Sequence, residues 1–188
     1  EGAILDGNFE REILLIRADD VSIRGLTFTN VGVSYIDDNA AIKVENAKGS
    51  RISGNRFVNA FFGVYLARSQ HAIISDNVFL GEARRETNSG NAIHLWDCED
   101  ITIENNQIEG HRDGIYLEFV EKSRIRGNRS RDNLRYGLHF MFSNDCVYRD
   151  NLFMRNGAGV AVMYTKRIQM VKNTFKQNWG SASYGLLL

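Results

Sequence analysis

The sequence predicts an all-β fold, a right-handed parallel β-helix with coils of about 22–23 residues and roughly seven to eight rungs. Three observations point to it. Asparagines recur at Asn55, Asn77, Asn106, Asn128, Asn151 and Asn173, in steps of 22, 29, 22, 23 and 22. An apolar–x–apolar unit starts 13 residues before each, at Ile42, Val64, Ile93, Ile115, Leu138 and Val160. Proline is absent, although about 5% is usual. A chain whose backbone N–H groups nearly all donate to a neighbouring strand excludes proline. A fixed internal period of this length is the signature of a solenoid. A β-sandwich would not hold the 13-residue offset through six repeats.

The series extends back to Ile13, with Leu26 in the asparagine slot, and forward to Leu186. Two further apolar columns complete each coil. Ile52, Ile74, Ile103, Ile125, Tyr148 and Met170 lie three residues before the asparagines, and Met170 is expected in the core. Phe28, Phe57, Phe79, Ile108, Phe153 and Phe175 lie two residues after them, with Ser130 the exception. Right-handedness follows from the chirality of parallel crossover connections. The many GN, DN and NN pairs supply residues that tolerate left-handed turns. Extra residues fall at 31–39, 80–90 and near 179–183, always before the next apolar–x–apolar strand. Insertions on one side of a solenoid rim its binding surface. The chain starts at Glu1 and stops in YGLLL, so residues 1–188 are expected to be a single β-helix domain cut from a longer chain.

Composition narrows the function classes. Lys plus Arg is 23 and Asp plus Glu is 23, a balance that argues against an electrostatic grip on nucleic acid or an anionic membrane. No apolar run reaches the roughly 20 residues of a membrane helix, so no direct span is expected.

Stacking the apolar–x–apolar strands yields two outward columns. The first is Lys43, Tyr65, His94, Tyr116, His139, Ala161, and the second is Glu45, Ala67, Trp96, Glu118, Met141, Met163. Met141 and Met163 are thus neighbours about one rung apart, and His139 lies roughly 6.5–7 Å from Met141 along its strand. Two thioethers and an imidazole suit Cu(I) far better than Mg²⁺ or Ca²⁺. His94, Trp96, Tyr116 and Glu118 form a candidate surface groove. Met154 is expected to pack a loop, and His71 and His111 to be solvated in turns. Cys98 and Cys146 sit two rungs apart, beyond disulfide reach, as small buried residues. Glu118 with Asp97 or Asp113 is the carboxylate pair a glycosidase would need at about 5–9.5 Å. No catalytic triad, P-loop or dinucleotide fingerprint is present.

The strings GNAIHLWDCEDITIENNQIEGHRDGIYLEF, SRDNLRYGLHFMFSNDCVYRDNLFMRNGAGVAVMYTKR and NWGSASYGLLL resemble the NosD family. The resemblance implies a periplasmic, non-enzymatic maturation protein for nitrous oxide reductase, of use in denitrification. It implies Cu(I) bound transiently and delivered by a copper chaperone lipoprotein, and an ABC permease and ATPase as partners. The intact LHFMF and VAVMY motifs carry the family's copper ligands onto His139, Met141 and Met163. Two other readings stay open on the residues alone: a carbohydrate-binding or polysaccharide-cleaving β-helix, and a solenoid that only docks proteins.

Overall fold

A computed structural model describes residues 2–34, 36–180 and 184–188. Its strands form three parallel sheets of eight, eight and seven strands, each pairing with its equivalent one coil away. The second sheet carries the apolar–x–apolar strands, from Leu14–Ile16 through Ala40–Glu45, Phe62–Ala67, Ile93–Trp96, Ile115–Glu118, Tyr136–Met141 and Ala158–Met163 to Leu186–Leu187. Each coil then passes through a three-residue strand of the third sheet, such as Arg51–Ser53, and one of the first, such as Arg56–Val58. The expected parallel β-helix is what the chain forms. The only helical turn among the described residues is Glu86–Asn88, inside the second insertion, and no described helix is long and apolar enough to cross a membrane.

The recurring asparagines stack inside the turn between the third and first sheets. Each backbone N–H donates to the amide oxygen one coil on, from Asn55 to Asn77, Asn106, Asn128, Asn151 and Asn173, at 2.9–3.0 Å. Each Nδ2 donates to that same oxygen and to a carbonyl of an earlier coil, as Asn106 does to Asn128 and Ile74. Such a ladder satisfies buried polar groups at a corner where no sheet can. Leu26, in the first slot, receives only the backbone half: its N–H donates to Asn55 Oδ1. The left-handed backbone falls on the residue before the ladder, at Gly54, Asp76, Asn105, Gly127, Asp150 and Lys172. Thus the recurrent pairs divide their work: the first residue makes the corner and the second fills it.

Inside, the phenylalanine column stacks Phe28 on Phe57 and Phe57 on Phe79, with centroids 5.2 and 4.5 Å apart and nearly parallel rings. Ser130 breaks the column for a reason: its hydroxyl donates to Gly137 O and accepts from Asn133 Nδ2. Met170 corrects an expectation. It pairs with Tyr148 on the inward column, yet it is 48% exposed, because its strand has no further rung stacked upon it in this chain. Met154 is also not a loop residue: it ends the strand Leu152–Met154 and is half-buried.

Candidate functional site

Strand register on the second sheet places both outward columns where the spacing predicted them. Lys43, Tyr65, His94, Tyr116, His139 and Ala161 are successive partners, as are Glu45, Ala67, Trp96, Glu118, Met141 and Met163. Met141 and Met163 stand side by side on adjacent rungs, both half-buried.

The first column is not the open surface that the alternation implied. Its rings pack into a continuous stack: Tyr65 on His94, His94 on Tyr116 and Tyr116 on His139, at 4.7–4.8 Å between centroids, with Tyr136 closing over His139. His139 is therefore only 2% exposed, and neither ring nitrogen has a hydrogen-bond partner. Its nearest charged neighbour is Asp113, with Nδ1 3.6 Å from Oδ2, and not a residue beside Met141. Burial pushes His94 down to about 3, helped by Arg112, so its imidazole is neutral at ordinary pH. Tyr116 is pushed up to about 12, chiefly by burial.

Asp113 is the centre of a cluster that sequence reasoning reached only as half of a carboxylate pair. It is fully buried. Arg112 and Arg135 approach it at 3.8 and 3.9 Å, and the Tyr136 N–H donates to its Oδ1 at 3.2 Å. The second oxygen has no hydrogen-bond partner, and neither has Arg112 Nε. The guanidinium of Arg135 lies over the Tyr136 ring at 4.8 Å and roofs the cluster. Asp113 lies in the bend before the strand Ile115–Glu118 and its carboxylate turns to Arg112, Arg135 and His139, whereas Glu118 ends that strand half-buried. Asp97 lies closer to Glu118, but on the left-handed turn residue after Trp96, exposed.

His94, Trp96 and Glu118 do share a shallow groove of about 380 Å³ with Lys43, Glu45 and Arg68, while Tyr116 is packed in the ring stack beside it. Arg68 lies 5.1 Å over the Trp96 ring. Among the described residues no three His, Cys, Asp or Glu side chains converge as a metal site. Cys98 and Cys146 are free and buried as expected, and burial pushes their thiols up to about 12 and about 11.

A feature missed in the sequence flanks the methionines. The residues after Glu118, Met141 and Met163, on three consecutive rungs, are Phe119, Phe142 and Tyr164. All three adopt left-handed backbone, with φ between 50 and 54°, where bulky side chains are strained. Their rings nonetheless stack at 5.3 and 5.1 Å and remain 48, 42 and 78% exposed. Ring stacking presents edges outward, a poor platform for a sugar ring but a good one for an apolar contact.

Comparison with known proteins agrees with this architecture. Residues 41–188 match the family model described as right handed beta helix region. The chain is 34% identical over 115 residues to the probable ABC transporter binding protein NosD of Pseudomonas aeruginosa, covering 60% of this chain and 27% of that protein. The protein of the same name from Stutzerimonas stutzeri is 30% identical over 115 residues, 60% of this chain and 26% of that one. The chain thus spans about a quarter of the length of these relatives. Among solved structures, the Streptococcus pneumoniae surface adhesin PfbA superposes with a TM-score of 0.73 at 14% identity, over 98% of this chain and 63% of that one. A mutant of the periplasmic alginate epimerase AlgG superposes at 0.62 and 16% identity, over 90% and 46%. Likeness at such identity speaks for the fold alone. With its family model matched from residue 41 to 188, the chain belongs to the right-handed β-helix family.

Proposed function

We propose that this chain is the β-helical binding module of a NosD-like protein that works beside an ABC transporter in nitrous oxide reductase maturation. In this reading it is periplasmic and non-enzymatic, and it handles Cu(I) as cargo on its second sheet. The observation that supports copper is the in-register pair Met141 and Met163 on adjacent rungs, neither fully buried. Thioethers are soft donors suited to Cu(I). Their side chains are flexible enough to close on one ion from strands about 4.8 Å apart. Two neutral sulfurs hold an ion weakly enough to release it. Phe142 and Tyr164, the residues that follow the two strands, stack on each other beside the pair. His139 completes the donor set only by turning from Asp113 towards Met141, and its unpartnered nitrogens leave it without hydrogen bonds to lose. The partners of this reading are a copper chaperone lipoprotein that supplies the ion and the transporter's permease and ATPase.

A Cu(I) competition titration under reducing conditions tests this on the chain and on Met141→Leu/Met163→Leu. One-to-one binding lost in the double variant supports the reading, and no binding, or binding that the variant keeps, refutes it. A second reading draws on the buried Asp113 beside His139, with Arg112 and Arg135 as the cations that would receive the carboxylate of an acidic sugar. An assay for unsaturated product from uronate polymers, with Asp113→Asn as the control, separates the two.

A further inference from the structure

The equal totals of acidic and basic residues conceal an uneven distribution. Residues 1–120 hold 11 Lys or Arg against 19 Asp or Glu, and residues 121–188 hold 12 against 4. Part of the basic excess gathers on the outer face of the first sheet, a different sheet from that of Met141 and Met163. There Arg56, Arg129, Arg131 and Arg155 line a trough of about 510 Å³.

Strand register orders the trough along the solenoid axis. Arg56, Val78, Gln107, Arg129 and Leu152 are successive partners in one outward column. Val58, Leu80, Glu109, Arg131 and Met154 are successive partners in the other. The arginines are not equivalent. Arg131 is held by Glu109 and Arg155 by Asp132, both at 2.6 Å. Arg56 and Arg129 are exposed, and among the described residues neither guanidinium has a hydrogen bond or an ion pair. Rungs lie about 4.8 Å apart, so three rungs set these two cations about 14 Å from each other. Val78 and Leu80 stand half-buried on the rung after Arg56, and Leu152 and Met154 on the rung after Arg129.

We propose that this trough docks an extended segment of a partner protein with the pattern acidic–x–apolar–x–acidic–x–apolar. An extended chain advances about 3.3 Å per residue and turns every second side chain to the same face. Acidic residues four apart then span about 13 Å, which matches the step from Arg56 to Arg129. The apolar residue between them falls about 7 Å along, beside Val78 and Leu80, and the last falls about 20 Å along, at Leu152 and Met154. The same segment wound as a helix brings its acidic residues to about 6 Å and reaches only one arginine. Each carboxylate takes a paired set of guanidinium N–H donors, which Arg56 and Arg129 have to offer. No aromatic side chain lines the trough, so it has no stacking surface for a nucleic-acid base or a sugar ring. The inference is independent of the copper reading, which concerns the second sheet.

The test uses the whole chain and the peptide Glu-Thr-Val-Thr-Glu-Thr-Leu, capped at both ends and labelled for fluorescence anisotropy. Saturable one-to-one binding is expected, at least tenfold tighter than that of an isomer with adjacent glutamates. Arg56→Gln and Arg129→Gln should each weaken it at least fivefold, and added salt should weaken it in the wild type. Leu152→Gln, which leaves every charge in place, should weaken it at least threefold. All three positions face outward, so thermal unfolding should be unchanged in each variant. Absence of peptide binding, equal binding of the isomer, or full retention in both arginine variants overturns the proposal. Tighter binding of oligouronates or of phosphatidylglycerol vesicles, lost in the same arginine variants, assigns the two cations to another polyanion and overturns it too.

Discussion

Replacing Asn106 by alanine removes the middle of the longer asparagine ladder, and the cost can be worked from its bonds. The side chain donates to Ile74 O and Asn128 Oδ1 at 2.9 and 3.0 Å, and accepts from the N–H and Nδ2 of Asn77, both at 3.0 Å. After truncation, Asn77 Nδ2 still has Ile52 O, and Asn128 Oδ1 still has the Asn106 N–H. The Asn77 N–H keeps nothing, and Ile74 O loses one donor. An orphaned buried N–H costs about 1–3 kcal/mol and each of the three other lost bonds about 1 kcal/mol, so the total is about 4–6 kcal/mol. Asn173 makes the same kind of bonds but is half-buried in the last rung, where water can replace them. Its alanine variant should lose only about 1 kcal/mol. Urea unfolding followed by circular dichroism measures both, and hydrogen exchange at the Asn77 amide locates the loss. Equal destabilisation of the two variants, within 1 kcal/mol, would refute the reasoning that burial of the ladder sets its worth.

Acid should unfold the chain in a window set by histidine. Folded values of about 3 for His94 and about 4 for His111 lie below the unfolded 6.5, so the unfolded state takes up protons first. Stability is then complete above pH 6.5 and falls as pH drops towards 4, by up to about 3 kcal/mol from His111 alone, a share that His111→Phe removes in a pH series of urea midpoints. Phe142→Asn should leave stability unchanged or raise it by up to about 1 kcal/mol, because relief of left-handed strain offsets the lost stacking. A clear loss in thermal unfolding would contradict the strain assignment. Cys98 and Cys146 should react with a thiol reagent only on global unfolding, since burial keeps both protonated at pH 8. Reaction in the native state would show the corner opening locally.

Register was legible because a strand alternates with period two and the 13-residue offset left no freedom to slip. That was enough to set Met141 beside Met163 before any coordinates. Burial was less legible. His139 alternates outward, but Tyr116 on the preceding rung and Tyr136 earlier on its own strand close over it, and alternation does not report what a neighbouring ring covers. Met170 differs in the opposite sense: it sits on the inward column but on the terminal strand of its sheet, and is 48% exposed. A second asparagine ladder, in which each backbone N–H donates to the next amide oxygen, had a signal in the spacing of Asn133, Asn156 and Asn178, and so did the aromatic run at Phe119, Phe142 and Tyr164. Both run beside the longer asparagine series, whose period masks theirs. His111 had none: a histidine in a GHRDG turn reads as solvated, yet it is 2% exposed.

The most direct test of the copper account is X-ray absorption at the copper edge on the Cu(I)-loaded chain, beside the Met141→Leu/Met163→Leu variant. The account predicts two sulfur scatterers in the wild type, both lost in the variant. A copper environment of nitrogen or oxygen alone, or one that the variant leaves unchanged, would contradict it.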